Sequence, residues 1–245
     1  MTIPRYLNKN QLTSLLAGIL RNNRKLYYLN LSINQLKSLP EGIFDAHQNL
    51  AYLYLFGNHL ISLPAGIFHN NPKLSALALD NNRLKSLSID LLNNNTFLKS
   101  LSLDNNQLTS LPPGFFDRSK LLRGLSLNGN HLDSLSDGIF NNNEQLKDLH
   151  LHLNRLTSLP DGIFRNNQHL TKVYLTSNPI AFLRPGVFRN NGQLSVLLLN
   201  DMKLKSLPSG IFDNNKQLTT ISLKNNQLKS LQAGQFDNND QLNLL

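Results

Sequence analysis

The sequence predicts an α/β repeat solenoid, because one 24-residue pattern recurs along the 245 residues of the chain. Its leucines follow L-x-x-L-x-L-x-x-N-x-L, and a second block, L-P-x-G-I-F, follows, as at 39–44 and 63–68. The alternating leucines indicate a short β-strand of period two. One such strand cannot bury its leucines alone, so the copies must stack. The repeated asparagines are Asn10, Asn34, Asn58, Asn82, Asn106, Asn130, Asn154, Asn178 and Asn226, and Met202 interrupts the series.

Each repeated column has a predicted structural role. The asparagine amides should satisfy backbone groups of neighbouring turns and form a ladder inside the solenoid. The glycine of the second block suits a tight turn, which the preceding proline stiffens. The phenylalanine column, beginning at Phe44, predicts a stacked spine on the convex side, where Leu20 and Leu92 replace two of its members. The paired asparagines that follow, such as Asn70 and Asn71, are interpreted as polar connecting loops.

These motifs resemble those of the leucine-rich repeat family, in its 24-residue form, over essentially the whole chain. The resemblance implies a curved horseshoe with a concave parallel β-sheet of about ten short strands. Its convex side would carry turns and short helical segments. We expect residues 1–245 to form one domain of ten repeats, with a truncated eleventh beginning at Leu242. The chain has no Cys, so Cys-rich caps, disulfides and thiolate metal sites are excluded.

Function is expected at the variable strand positions, which face solvent on the concave side, because function must be argued from the site and not from the fold. The first zone of such positions is aromatic. Clustered exposed tyrosine is typical of protein-binding hot spots. This zone comprises Tyr6, Tyr28, Tyr52, Tyr54 and Phe56, with Ile33 beside them.

The second zone has small side chains that would let a partner approach the sheet closely. Asp80 and Asp104 follow it on adjacent strands, beside Asn128. They could receive a Lys or Arg from a partner, or they could be solvated carboxylates of little energetic weight. Acid–base catalysis is disfavoured, since an open sheet excludes no water. The small residues are Ala76, Ala78, Ser100, Ser102, Gly124 and Ser126.

The third zone mixes polar and apolar side chains. Asp148, His150 and His152 alternate along one strand and so share a face. A zinc site would need a fourth ligand, and none is evident. An ion pair between Asp148 and Lys172 and a role in an interface are favoured instead, and the histidines would make binding sensitive to pH. The partner-binding residues predicted here are Asp148, His150, His152, Lys172, Tyr174 and Leu198.

The net charge of +9 suggests nucleic acid or an acidic surface as a partner. Six cations and four anions occupy concave positions, and the other cations are expected to scatter over turns and the convex side. Because aromatic and basic side chains do not coincide, the sequence argues against nucleic acid. It has no apolar run long enough for a membrane span and no catalytic or cofactor motif. We therefore expect no enzymatic activity, metal, cofactor or small-molecule substrate.

The sequence thus predicts a non-enzymatic module that binds a partner protein across its concave face. The short L-P-x-G-I-F repeats, the abundance of Asn and the absence of Cys resemble leucine-rich repeat effectors of intracellular bacterial pathogens. That resemblance implies an effector that sequesters or inhibits a host protein or another bacterial protein in the reducing cytosol of a host cell. Two alternatives stay open: an extracellular adhesin or receptor ectodomain, and a binder of nucleic acid or anionic surfaces.

Overall fold

The computed structural model describes residues 3–243, which form one parallel sheet of ten strands in chain order. Equivalent residues of successive repeats lie side by side, as in the register Tyr28–Tyr52–Ala76. The concave parallel sheet is therefore as predicted, while the eleventh repeat predicted from Leu242 runs beyond the described residues. The strands are β1 Ile3–Tyr6, β2 Leu26–Asn30, β3 Tyr52–Tyr54, β4 Ala76–Ala78, β5 Ser100–Ser102, β6 Gly124–Ser126, β7 Asp148–His150, β8 Lys172–Tyr174, β9 Val196–Leu198 and β10 Thr220–Ser222.

The repeated leucines and phenylalanines fill one continuous core between the sheet and the convex turns. The middle residue of each strand points into this core, as Leu53 does with no exposed surface. On the opposite side the phenylalanine rings stack from repeat to repeat, with Phe116, Phe140 and Phe164 spaced 5.9 and 6.4 Å apart. This is the predicted spine. It is interrupted at Leu92, which is also buried.

The asparagine ladder ties neighbouring repeats together, as predicted. Asn106 is representative: its Oδ1 accepts the Leu84 amide at 3.0 Å, and its Nδ2 donates to the Leu79 and Leu103 carbonyls, also at 3.0 Å. Met202 stands where the series would have another asparagine. An asparagine there would accept the Ile180 amide, and within residues 3–243 that amide donates no hydrogen bond. The fold therefore tolerates one gap in the ladder.

A second ladder of asparagines lies beneath the convex surface, where the sequence suggested only polar loops. From Asn71 to Asn215, the second member of each asparagine pair that follows the spine is fully buried. Asn71, for example, donates from Nδ2 to the Phe44 carbonyl at 2.9 Å and to the His47 carbonyl at 3.0 Å. Its equivalents form the same two bonds in later repeats. These residues do lie in connecting segments, as interpreted, but the sequence did not predict that they are buried and bonded to carbonyls of the preceding turn.

The convex segments are turns, and residues 3–243 contain no helix, so the predicted short helical segments were wrong. Each segment is held by bonds that span three residues, such as Asp45 N–H to Gly42 O at 3.0 Å and His47 N–H to Phe44 O at 3.0 Å. Gly42 has a φ of 64°, in the left-handed region that a right-handed helix cannot contain. Within the same residues, no helical segment is long and apolar enough to cross a bilayer.

Candidate functional site

Most of the predicted site residues lie in the strands and project from the concave face, whereas Phe56, Asp80, Asp104 and His152 lie just after the ends of their strands. Because side chains alternate along a strand, the residues on either side of each buried middle residue project away from the core. In β3, Tyr52 and Tyr54 flank the buried Leu53, and Tyr52 is 39% exposed. The in-phase register then sets the projecting side chains of successive strands beside each other.

Five tyrosines from β1, β2 and β3 form one continuous group of rings, called here the tyrosine cluster: Tyr6, Tyr27, Tyr28, Tyr52 and Tyr54. Tyr28 lies at its centre, with ring centroids 5.1 Å from Tyr6, 6.3 Å from Tyr52 and 5.4 Å from Tyr54. Burial and the neighbouring phenols raise the pKa of Tyr54, so its hydroxyl stays protonated at neutral pH. The cluster presents neutral aromatic rings with hydroxyl groups to solvent.

Tyr27 was missed by the sequence reasoning, because it precedes the alternating positions of its strand. Its ring nevertheless packs edge-on against Tyr52 at 6.4 Å and contacts Tyr28 at 6.5 Å. The signal available in the sequence was the Tyr27–Tyr28 pair itself. Phe56, which was predicted in this zone, is half-buried farther along the face, where its carbonyl accepts the Ile33 amide at 2.8 Å.

The small side chains of the second zone form a floor on the concave face, and the two predicted aspartates lie along one edge of it. Asp80 and Asp104 are half-buried on neighbouring repeats. Asp104 accepts the backbone amide of Asn128 at 3.0 Å. Burial raises the pKa of the Asp104 carboxyl. Hydrogen bonds from Ser126 and Asn128 partly offset this rise, and the negative charge of Asp80 adds to it. Asp104 is thus a partly desolvated carboxylate that a cation from outside could reach.

The third zone forms an aromatic and imidazole group on β7 and β8. The His150 ring stacks on Tyr174 with centroids 4.4 Å apart, and His152 lies 6.1 Å from His150 and 6.4 Å from Tyr174. Burial lowers the pKa of both histidines, against the opposing effect of the Asp104 carboxylate. Both imidazoles are therefore neutral at pH 7. Leu198 lies beside Tyr174 in register and extends the apolar surface.

The predicted ion pair closes one side of this group. Lys172 Nζ lies 4.0 Å from Asp148 Oδ1, and both side chains are nearly half exposed. The two residues are direct partners in the register of β7 and β8. Over residues 3–243, no group of three His, Asp or Glu side chains is arranged to hold a metal ion.

The positive charge follows the two flanks of the sheet, and the expectation that it would be scattered was wrong. One row consists of the four-residue segments that come just before the projecting strand positions, which are residues 24–27, 48–51 and so on at intervals of 24. These segments contain eight cations and two anions. We call this row the leading flank. The five residues that begin at each ladder asparagine, and at Met202 in the same column, contain seven cations and one anion, and form the trailing flank. The convex turns, in contrast, carry five cations and eight anions.

The sequence pattern described as "Leucine rich repeat" matches residues 6–60, 72–132, 96–152, 120–180 and 144–201. These overlapping segments cover most of the chain, and the chain belongs to the leucine-rich repeat family. The fold of this family is a protein–protein interaction module. A comparison with curated proteins found no match.

Solved structures share this fold over nearly the whole chain. A leucine-rich repeat protein of Leptospira interrogans is 29% identical with a TM-score of 0.88, over 97% of this chain and 58% of that one. The functional domain of InlJ from Listeria monocytogenes, which includes a cysteine ladder, is 25% identical with a TM-score of 0.77, over 98% and 48%. An octameric complex of Latrophilin 3, Unc5D and the leucine-rich repeats of FLRT2 gives 26% identity and a TM-score of 0.70, over 98% and 79%. The chain spans about half the length of the two bacterial structures.

Proposed function

We propose that this protein is a non-enzymatic binding module that grips a partner protein across its concave face. The observation that carries the proposal is the tyrosine cluster, in which five rings contact one another while Tyr6 and Tyr52 remain 66% and 39% exposed. The core does not need these rings, because in β4 the equivalent positions hold Ala76 and Ala78 and the middle residue Leu77 is still buried. Rigid, partly exposed tyrosines lose little entropy on binding and are enriched at interface hot spots.

The second anchor would be the His150, Tyr174 and Leu198 group. It lies about five strand spacings from β3, or about 24 Å along the sheet. Between the two anchors the floor has only small side chains, so a partner element could contact the sheet backbone there. A cationic side chain of the partner would meet Asp104, whose partly desolvated carboxylate forms no ion pair with a Lys or Arg of residues 3–243.

The likeness to two bacterial leucine-rich repeat structures supports a bacterial origin, and the absence of Cys suits a reducing compartment. We propose on this basis a bacterial effector that acts in the host cytosol by sequestering or inhibiting its partner, either a host protein or another bacterial protein. Covering the active site of an enzyme is one way in which a concave face of this size could inhibit.

An extracellular adhesin or receptor is the second candidate, favoured by the likeness to the FLRT2 repeats, which occur in a complex with Latrophilin 3 and Unc5D. Detection of the native protein at the cell surface would favour this candidate, and detection inside host cells would favour the effector. A binder of nucleic acid is the third candidate, favoured by the basic flanks. A steep loss of affinity with added salt would favour it, since tyrosine-anchored binding should respond weakly to salt.

The experiment that tests the proposal is partner capture from host lysate and from native-source lysate with matched variants. The test variant is Tyr52→Ala/Tyr54→Ala. The control is Phe182→Ala/Leu231→Ala, which removes two side chains of similar exposure away from the concave strands. We expect the test variant to lose the partner and the control to retain it. Each hot-spot tyrosine should contribute on the order of 2 kcal/mol. Retention of the same partner by the test variant would refute the proposal.

A further inference from the structure

A patch of basic and apolar side chains occupies the middle of the leading flank, outside the proposed binding face. Its cations come from three consecutive repeats, and all of them are exposed. Two large apolar side chains lie among them, Phe97 at 56% and Leu121 at 39% exposure. The basic–apolar patch consists of Phe97, Lys99, Lys120, Leu121, Arg123 and Lys147.

The backbone holds three of the cations in one line. The Arg123 amide donates to the Lys99 carbonyl at 2.8 Å, and the Lys147 amide donates to the Arg123 carbonyl at 2.8 Å. Neighbours along this line are therefore about 4.8 Å apart at the backbone. Positive charges held at such spacing repel one another and favour an anionic neighbour.

Among residues 3–243, no carboxylate forms an ion pair with this line. The two ion pairs found within residues 3–243 are Lys172–Asp148 and Arg184–Asp161, and neither includes a cation of the patch. Of the two anions on the leading flank, Glu144 lies at the last repeat of the patch and Asp240 lies four repeats farther on. The positive charge of the patch is thus available to a partner.

The apolar side chains are not required by the fold. Phe97 and Leu121 occupy equivalent positions in adjacent repeats. In the other eight repeats that position holds a polar residue in every case: Lys25, Asn49, Lys73, Gln145, His169, Gln193, Gln217 and Gln241. Two adjacent exceptions that expose large apolar surface among cations indicate a contact surface.

We propose that the basic–apolar patch binds an acidic protein segment that carries exposed apolar side chains. The cations would pair with carboxylates of the partner. Phe97 and Leu121 would pack against apolar side chains, which a simple polyanion lacks. The line of cations spans only about 10 Å, because the equivalent positions in the next repeats hold the uncharged Ser75 and Thr171. A basic stripe that binds nucleic acid would be longer. This surface is separate from the tyrosine cluster, so the inference goes beyond the proposed function and does not rest on it.

The test uses the full chain and a short fluorescent peptide that alternates Glu with Leu, measured by fluorescence anisotropy. The test variant is Lys99→Glu/Arg123→Glu/Lys147→Glu. The matched control, Lys85→Glu/Lys205→Glu/Lys229→Glu, makes the same change in charge on the trailing flank. We expect the test variant to lose about tenfold or more in affinity, as three exposed ion pairs would give, and the control to lose less than about twofold.

Two further probes separate the partner classes. A peptide with Gln in place of Glu should bind at least several-fold more weakly, and Phe97→Ser/Leu121→Ser should weaken binding of the Glu peptide while Phe182→Ser does not. The proposal is overturned by equal losses in the test and control variants or by absence of peptide binding. It is also overturned if a single-stranded oligonucleotide or an anionic vesicle binds the patch more tightly than the peptide does. Because Tyr52→Ala/Tyr54→Ala should leave peptide binding unchanged, failure here is distinguishable from failure of the proposed function.

Discussion

Replacing Asn106 with leucine removes one member of the asparagine ladder while keeping a buried side chain of similar volume. Asn106 is 4% exposed in the middle of the solenoid. Its Oδ1 accepts the Leu84 amide, and its Nδ2 donates to the Leu79 and Leu103 carbonyls. The variant should still fold, because the protein already tolerates a gap in the ladder at Met202.

The expected loss of stability is smaller than the four hydrogen bonds of the Asn106 side chain would suggest, and the fourth acceptor, the Asp104 carbonyl, keeps the Asn81 amide as a partner. The Leu79 carbonyl also accepts Asn82 Nδ2 at 3.0 Å, and the Leu103 carbonyl also accepts Asn130 Nδ2 at 3.0 Å, so each keeps one partner. Only the Leu84 amide is left without an acceptor. One buried unpaired amide costs about 1–3 kcal/mol, and the weakened carbonyls add a fraction of that. The buried leucine offsets part of this loss, which leaves about 2 kcal/mol.

Urea unfolding of the variant and the wild-type chain measures this difference. Thr109→Leu is the control, since residue 109 is exposed and the same side chain there should change stability by less than about 0.5 kcal/mol. If Asn106→Leu costs no more than the control, the ladder does not hold the repeats together as argued. A loss above about 4 kcal/mol would also contradict the reasoning, because it would require the carbonyls to be orphaned as well.

Three further outcomes are expected. Phe140→Ala should cost about 3–5 kcal/mol in urea unfolding because it opens the stacked spine, whereas Phe182→Ala should cost less than about 1 kcal/mol because residue 182 is half exposed. Because burial lowers the pKa of His150 and His152, the unfolded chain binds more protons than the folded one as pH falls through about 6.5. Stability should therefore decline below that pH, and His150→Gln/His152→Gln should reduce the decline between about pH 7.5 and 5.5. Gly124→Phe should leave the urea midpoint unchanged, since a Cβ there meets nothing within 4 Å, yet it should weaken partner binding about tenfold or more by blocking the floor.

The sheet could be predicted from sequence because its register is repeated. A buried residue such as Leu53 alternates with projecting residues, and a period of 24 leaves one register in which all repeats agree. The same logic placed Tyr28, Tyr52 and His150 on one face before any contact was known. The asparagine ladder followed from its position at the exit of each strand.

The remaining features depend on how the chain folds between the strands. Asn71 looked like an exposed loop residue, but its amide is buried and adds a second hydrogen bond to the Phe44 and His47 carbonyls, which each also accept a backbone amide. The expected helical segments do not form, because glycines of the convex turns such as Gly42 have a positive φ. Tyr27 joined the tyrosine cluster through packing that alternation does not encode.

The most direct test of the central claim is a cross-linking experiment that asks which face the partner touches. A photo-reactive phenylalanine analogue replaces Tyr52 on the concave face in one variant and Phe182, away from the concave strands, in another. Both positions are exposed, so both probes can react with a bound protein. We predict that the captured partner cross-links to position 52 and not to position 182. Cross-linking at position 182 with none at position 52 would contradict the assignment of function to the concave face.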